Sequence, residues 1–136
     1  LATAGDEGIV TVWDAATGDD LFTLELGGVI HALSASWDGT LLAAASEDGA
    51  VKVWECQTGA ELLNLPRSVG MYDLAFLVDG TLATAGQDGV TRVWDSLSGQ
   101  LLLSLPGHAS TVIGVAGSPD GTRIPQVFQD FALAFE

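Results

Sequence analysis

The residues of this chain with the most chemical reach are two histidines, one cysteine and 18 acidic side chains. A nucleophile beside a base, a metal-ligating cluster, or a carboxylate pair sharing a pocket would mark an active site. His31 and His108 lie far apart, and no nucleophile paired with a base is apparent. Asp6, Glu7, Asp38, Glu47, Asp48, Asp79, Asp88 and Asp120 offer oxygens that hard cations favour. Tight turns, however, demand the same residues: these carboxylates stand in short segments beside a glycine, and no acid-rich loop of calcium-binding spacing appears. Cys56 follows Trp54-Glu55 and lacks the neighbouring His or second Cys that would activate a thiolate or complete a metal site. The expectation is therefore no catalytic residue, no metal, no cofactor and no enzyme activity within the chain.

The elements that would position such groups repeat. Ile9-Val10-Thr11-Val12-Trp13-Asp14, Ala50-Val51-Lys52-Val53-Trp54-Glu55 and Val90-Thr91-Arg92-Val93-Trp94-Asp95 are variants of one segment, with tryptophans 41 and 40 residues apart. Each alternates large apolar with polar or small residues, the period-2 pattern of a strand with one buried face. Before each comes a turn, Asp6-Glu7-Gly8, Glu47-Asp48-Gly49 or Gln87-Asp88-Gly89, where glycine accepts the positive φ of a hairpin. Upstream lie Leu1–Ala4, Leu41–Ala45 and Thr81–Ala85, alanine-rich as a crowded interior requires. Further strands are expected at Ile30–Ala35, Met71–Leu77 and Thr111–Ala116, and after each tryptophan at Leu21–Leu24, Leu62–Leu65 and Leu101–Leu105. Four short strands per period of roughly 40–45 residues point to an all-β propeller.

With Trp13-Asp14, Trp94-Asp95, the variant Trp54-Glu55, the pair Gly107-His108 and the turn Ser118-Pro119-Asp120-Gly121, the chain resembles the WD-repeat β-propeller family from Leu1 to about Thr122. The resemblance implies four-stranded antiparallel blades, and a polar tetrad joining a loop His, a strand Ser or Thr, a turn Asp and the closing Trp. Carried over, it assigns Thr84, Asp88 and Trp94 to the third unit, with Pro66 in the His position. The second unit keeps Asp48 and Trp54 but has Ala44 and Leu26, and the first offers Thr3, Glu7 and Trp13. His108 precedes Asp130 by the 22 residues that separate Pro66 from Asp88, which carries the frame into a fourth unit. The stretch 123–136 departs from the pattern, with Pro125 in a would-be central strand where its missing amide is unfavourable. It reads either as a degenerate fourth unit or as an altered end, beyond blades spanning 1–122.

Propellers close with roughly 4–8 blades. About three periods are visible, so the chain reads as an arc of a larger ring whose edges other blades of the same protein, or self-association, would cover. The net charge of −14 repels phosphate backbones and anionic headgroups, which argues against nucleic acid and membrane as partners. A single cysteine excludes an internal disulfide and points to the cytoplasm.

A protein or peptide partner is what the resemblance implies, on the ring face that carries the blade-opening loops and the tetrad turns. Glu47, Arg67, Ser68 and Gln87 occupy such positions. Trp37 is a further candidate contact, because it fills a turn slot held by Val78 and Pro119 in later units and does not recur. His31 falls within a strand and reads as a packed or rim residue. The leading expectation is a non-catalytic protein-interaction scaffold. The alternative is a sensor or regulatory repeat domain of a larger signalling protein, with a kinase or nucleotide-hydrolysing module outside this segment.

Overall fold

The computed structural model describes all residues except Ser68, 107–108, 118–124, 129–132 and 136; for 125–128 and 133–135 it describes the backbone alone. The described elements are β-strands, β1 (Ala2–Ala4), β2 (Ile9–Trp13), β3 (Asp20–Glu25), β4 (Ile30–Ala35), β5 (Leu41–Ser46), β6 (Val51–Glu55) and β7 (Glu61–Leu65) in the first half. β8 (Met71–Phe76), β9 (Leu82–Gly86), β10 (Thr91–Trp94), β11 (Leu101–Leu105), β12 (Val112–Val115), β13 (Pro125–Phe128) and β14 (Leu133–Phe135) follow.

They form four antiparallel meanders in chain order: β1-β2-β3, β4-β5-β6-β7, β8-β9-β10-β11 and β12-β13-β14. Equivalent residues hold equivalent registers. Val53 faces Ala43 and Leu63, and Val93 faces Ala83 and Leu103. Each closing strand slips register at its tryptophan, between Val12 and Trp13, Val53 and Trp54, and Val93 and Trp94. The acidic residue after each tryptophan then closes the following turn. Asp14 Oδ1 accepts Ala16 N at 2.8 Å, Asp95 Oδ1 accepts Leu97 N and Ser98 N at 2.9 Å, and Glu55 Oε2 accepts the Thr58 hydroxyl. This is a physical reason for the Trp-Asp pair, and for the tolerance of Glu in the second unit.

The sheets pack in succession as an open arc, with the cores in the seams between them. Val10, Leu24 and Leu26 of the first blade pack with Leu42, Ala44 and Trp54 of the second. Val51, Val53 and Leu65 meet Met71, Leu74, Phe76 and Leu82 of the third, and Ala83, Ala85 and Val93 meet Val112 and Val115. A strand covered on both faces has little room, so Ala43, Ala44, Ala45, Ala83 and Ala85 are fully buried. Truncating the fully buried Leu82 would cost about 2–5 kcal/mol through lost contacts and the cavity left behind.

Strands β4, β8 and β12 adjoin one another across the seams and so form the inner row. Two side chains tie this row together: Ser34 Oγ accepts Phe76 N at 3.1 Å, and Asp73 Oδ2 accepts Val115 N at 2.9 Å. Gly70 closes the second seam more tightly still. A Cβ there would lie 2.5 Å from the Glu47 carbonyl oxygen, so the β7–β8 connector rests on the preceding blade only with glycine at this position.

Pro125 does enter a central strand, since β13 lies between β12 and β14. It is the first residue of that strand and pairs with Phe135, while the pairing to β12 begins at Gln126, so its missing amide withdraws nothing from the β12 ladder. The segment 123–136 thus supplies two strands to the sheet that β12 begins.

Candidate functional site: a polar rim and an acidic cleft

The antiparallel order of each meander puts its turns at two ends. The β5–β6 and β9–β10 turns and the β7–β8 connector share one end, here called the rim. The β4–β5, β8–β9 and β10–β11 turns share the other.

At the rim, the turns carrying Glu47 and Gln87 are shaped by the acids beside them. Asp48 accepts the Ser46 hydroxyl, Ala50 N at 3.2 Å and, from the next connector, Arg67 Nη1 at 2.8 Å. The Ser46 bond is the main influence holding the Asp48 carboxyl below the ordinary aspartate value; Arg67 adds to it. Asp88 lies partly buried, which pushes its carboxyl up, but the Arg92 guanidinium and Val90 N outweigh that and leave it lowered. Arg92 grips both oxygens, at 3.3 and 2.5 Å. Gln87 Nε2 donates to the Tyr72 hydroxyl at 3.2 Å, and the Gln87 carbonyl accepts the Thr111 hydroxyl at 3.4 Å. Tyr72 meets His31 edge to face at 5.1 Å between ring centres, so His31 belongs to the rim, exposed on the inner strand β4.

Of the residues singled out in the sequence, the structure brings Glu47, Arg67 and Gln87 together here. Arg67 holds Asp48, the neighbour of Glu47, and Gly70 lies between the Glu47 carbonyl and the Gln87 side chain. Arg67 is thus anchored by one ion pair while its side chain stays 61% exposed. Ser68 and His108 fall outside the described residues. Tyr72 and Thr111 were not singled out; the one signal was that Tyr72 is the chain's single tyrosine, placed near the start of an inner strand.

The tetrad implied by the resemblance is present as its tryptophan leg. Trp94 Nε1 donates to Thr84 Oγ1 at 3.0 Å, and Trp13 Nε1 to Thr3 Oγ1 at 2.8 Å. In the second blade Ala44 takes the position of Thr84, opposite Lys52 as Thr84 is opposite Arg92, and offers Trp54 no hydroxyl. Asp88 turns to Arg92 and not to Thr84. Glu7 is exposed in its turn.

Trp37 lies at the opposite end and is 68% exposed. With Val78 and Leu97 it lines a cleft of about 420 Å³ between the second and third blades, rimmed by Asp38, Asp79 and Asp95. All three carboxyls are held below the ordinary aspartate value. Asp38 sits at about 2 through the Ser36 hydroxyl and both donors of Thr40, Asp79 is lowered by Thr81, and Asp95 by the amides of Ser98 and Leu97. Cys56 is half-buried, and burial pushes its thiol up, away from the reactive thiolate. Among the described residues, no three His, Cys, Asp or Glu side chains are placed to share a metal ion.

Four-stranded meanders packed seam to seam, each closed by a Trp-acid step and linked through an inner row, define a β-propeller of the WD class. The family model described as WD domain, G-beta repeat matches residues 19–55, 63–95 and 99–124, which together make up more than half of the chain. The chain belongs to the WD-repeat family. Each matched segment starts in or just before the outer strand of one blade and runs into the next, so one repeat of sequence straddles two blades. No curated protein matches the chain.

Proposed function

We propose that this chain is a non-catalytic protein-interaction scaffold that presents the rim formed by Glu47, Arg67, Gln87, Tyr72 and His31 to a protein or peptide partner. WD repeats generally mediate protein–protein interaction, and that general role is the starting point. The observation that carries the finer reading is the Arg67–Asp48 and Gln87–Tyr72 pairing, which fixes long polar side chains at a blade seam before any partner arrives. Side chains held in place lose less entropy on binding, and tyrosine and arginine are the residue types that most often dominate interfaces. The net charge of −14 favours a basic protein surface over nucleic acid or anionic lipid.

Photo-crosslinking tests the proposal. A benzophenone amino acid at Glu47 is expected to trap a discrete partner in cells, and Tyr72→Ala with Arg67→Ala to abolish the adduct. The same probe at Leu62, exposed on the outer strand β7, serves as the background. Adducts at Glu47 no different from those at Leu62 would overturn the rim as the binding surface.

A further inference from the structure

We infer that the cleft between the second and third blades is a receptor for an arginine side chain presented by a partner protein. The inference stands apart from the rim reading, because it uses other residues at the opposite end of the blades.

The walls of this cleft are contradictory for a free surface and complementary for one ligand class. Trp37, Val78 and Leu97 are 68%, 41% and 74% exposed, a concentration of apolar area that solvent disfavours. Both blades that form the cleft are flanked by another blade within this chain, so a further blade added to the arc would not cover it.

The carboxylates around it are half used. Asp38 Oδ1 accepts the Ser36 hydroxyl, Thr40 N and the Thr40 hydroxyl, and Asp79 Oδ1 accepts Thr81 N and the Thr81 hydroxyl. Their Oδ2 atoms accept no hydrogen bond among the described residues. Lys52, Arg67 and Arg92 are engaged elsewhere, with Glu61, Asp48 and Asp88, so no lysine or arginine of the described residues pairs with these carboxylates.

An exposed indole and carboxylates with uncommitted oxygens in the lining of one cleft suit a planar cation that stacks and forks at once. Guanidinium does both: it lies on tryptophan by cation–π attraction and donates paired N–H groups to carboxylates, whereas ammonium is a compact, strongly hydrated charge without the flat face. A divalent metal would need several oxygens converging on one point, and here the Oδ1 atoms are committed to their own turns.

The test is a titration of the ¹⁵N-labelled chain with acetyl-Gly-Arg-Gly-amide, following the indole N–H signal of Trp37, which Trp37→Phe identifies by its disappearance. A saturable shift with a Kd of roughly 1 mM is expected, as a single side chain supplies only part of an interface. The citrulline analogue, equal in shape but uncharged, should bind at least about tenfold more weakly. Asp38→Asn with Asp79→Asn keeps the turn-closing Oδ1 acceptors and should weaken the arginine peptide by a similar factor, while the indole signals of Trp13 and Trp94 report that the blades stay folded. An equal response to citrulline, no response up to about 10 mM peptide, or the same shift with calcium chloride would overturn the inference. So would a Trp37 signal that moves on dilution without peptide, which would show a second copy of the chain seated in the cleft.

Discussion

The Asp73 carboxylate accepts the backbone amide of Val115 at 2.9 Å, joining the inner strands of two successive blades across 42 residues of sequence. Its other oxygen accepts Leu74 N at 2.9 Å, and burial nevertheless raises the carboxyl above its ordinary value. Between the unfolded value of 3.8 and the raised folded value, the native chain binds more protons than the unfolded one. The contribution of Asp73 to stability is therefore fully present below 3.8 and lost as pH rises through the folded value. Asp73→Asn cannot ionise, so it should gain on the parent as pH rises from about 4 to 7 in urea melts. Asp73→Ala leaves the buried Val115 amide without its partner and should cost about 1–3 kcal/mol. At the neighbouring seam the same link is made by Ser34 to Phe76 N, so Ser34→Ala should cost about 1 kcal/mol with no pH dependence across this range.

The same tryptophan-to-threonine bond occurs twice in different surroundings. Thr84 is 1% exposed and its bond to Trp94 is partly buried, whereas the Thr3–Trp13 bond lies at the surface. Water replaces a lost partner at Trp13 but not at Trp94. Thr84→Val should accordingly cost about 1–2 kcal/mol and Thr3→Val about 0.5 kcal/mol or less, read from chemical denaturation of the two variants.

What was legible in the sequence was what repeats. Trp13, Trp54 and Trp94, the glycine turns and the alternating strands fixed the blade pattern, because each follows from local sterics and from one buried face per strand. The links between blades were not legible. Asp73 and Val115, or Ser34 and Phe76, meet through seams that no periodicity encodes, and they occupy non-equivalent positions: Asp73 faces Ala85, whereas Ser34 faces Ala43. Of the candidate contacts, Glu47, Arg67 and Gln87 gathered at one end because their turns recur in register, while Trp37 was set apart by the direction of its strand. Of the acids that join Trp37 in the cleft, Asp79 was visible only as a turn residue and Asp95 only as the acid of the Trp94-Asp95 pair until the second and third blades stood side by side.

Arg92 and Arg67 make the same kind of ion pair at very different exposure. Arg92 binds both oxygens of Asp88, with side chains 20% and 26% exposed, whereas Arg67 holds one oxygen of Asp48 at 61% and 40%. Exposed pairs contribute about 0–1 kcal/mol, because solvent screens them and both side chains lose freedom. Removing one member of a more sheltered, two-pronged pair leaves a charge poorly solvated. Arg67→Ala should therefore change unfolding free energy by less than about 0.5 kcal/mol and Arg92→Ala lower it by about 1–3 kcal/mol. Arg92→Lys should recover only part of that loss, since an ammonium cannot reproduce the fork. Asp88 is lowered in the folded chain, so its contribution is present above 3.8 and disappears as pH falls through the folded value, and the gap between parent and Arg92→Ala should narrow on acidification.

Thr91 is a position where the chain stabilises itself less than its own repeat allows. Its hydroxyl is buried and has no hydrogen-bond partner among the described residues. Thr91 pairs with Ala85 and Leu105 as Val51 pairs with Ala45 and Leu65, and as Val10 pairs with Ala4 and Leu24. Two blades thus place valine where the third places threonine of the same shape. Burying an unpaired hydroxyl costs about 1–3 kcal/mol, and the replacement adds no volume that the seam must absorb. Thr91→Val should raise the unfolding free energy by about 1 kcal/mol with an unchanged denaturant slope, because the surface exposed on unfolding stays the same. A loss of stability in that melt would mean that the hydroxyl has a partner in the native state, and the third blade would then be held by a polar contact that its two predecessors lack.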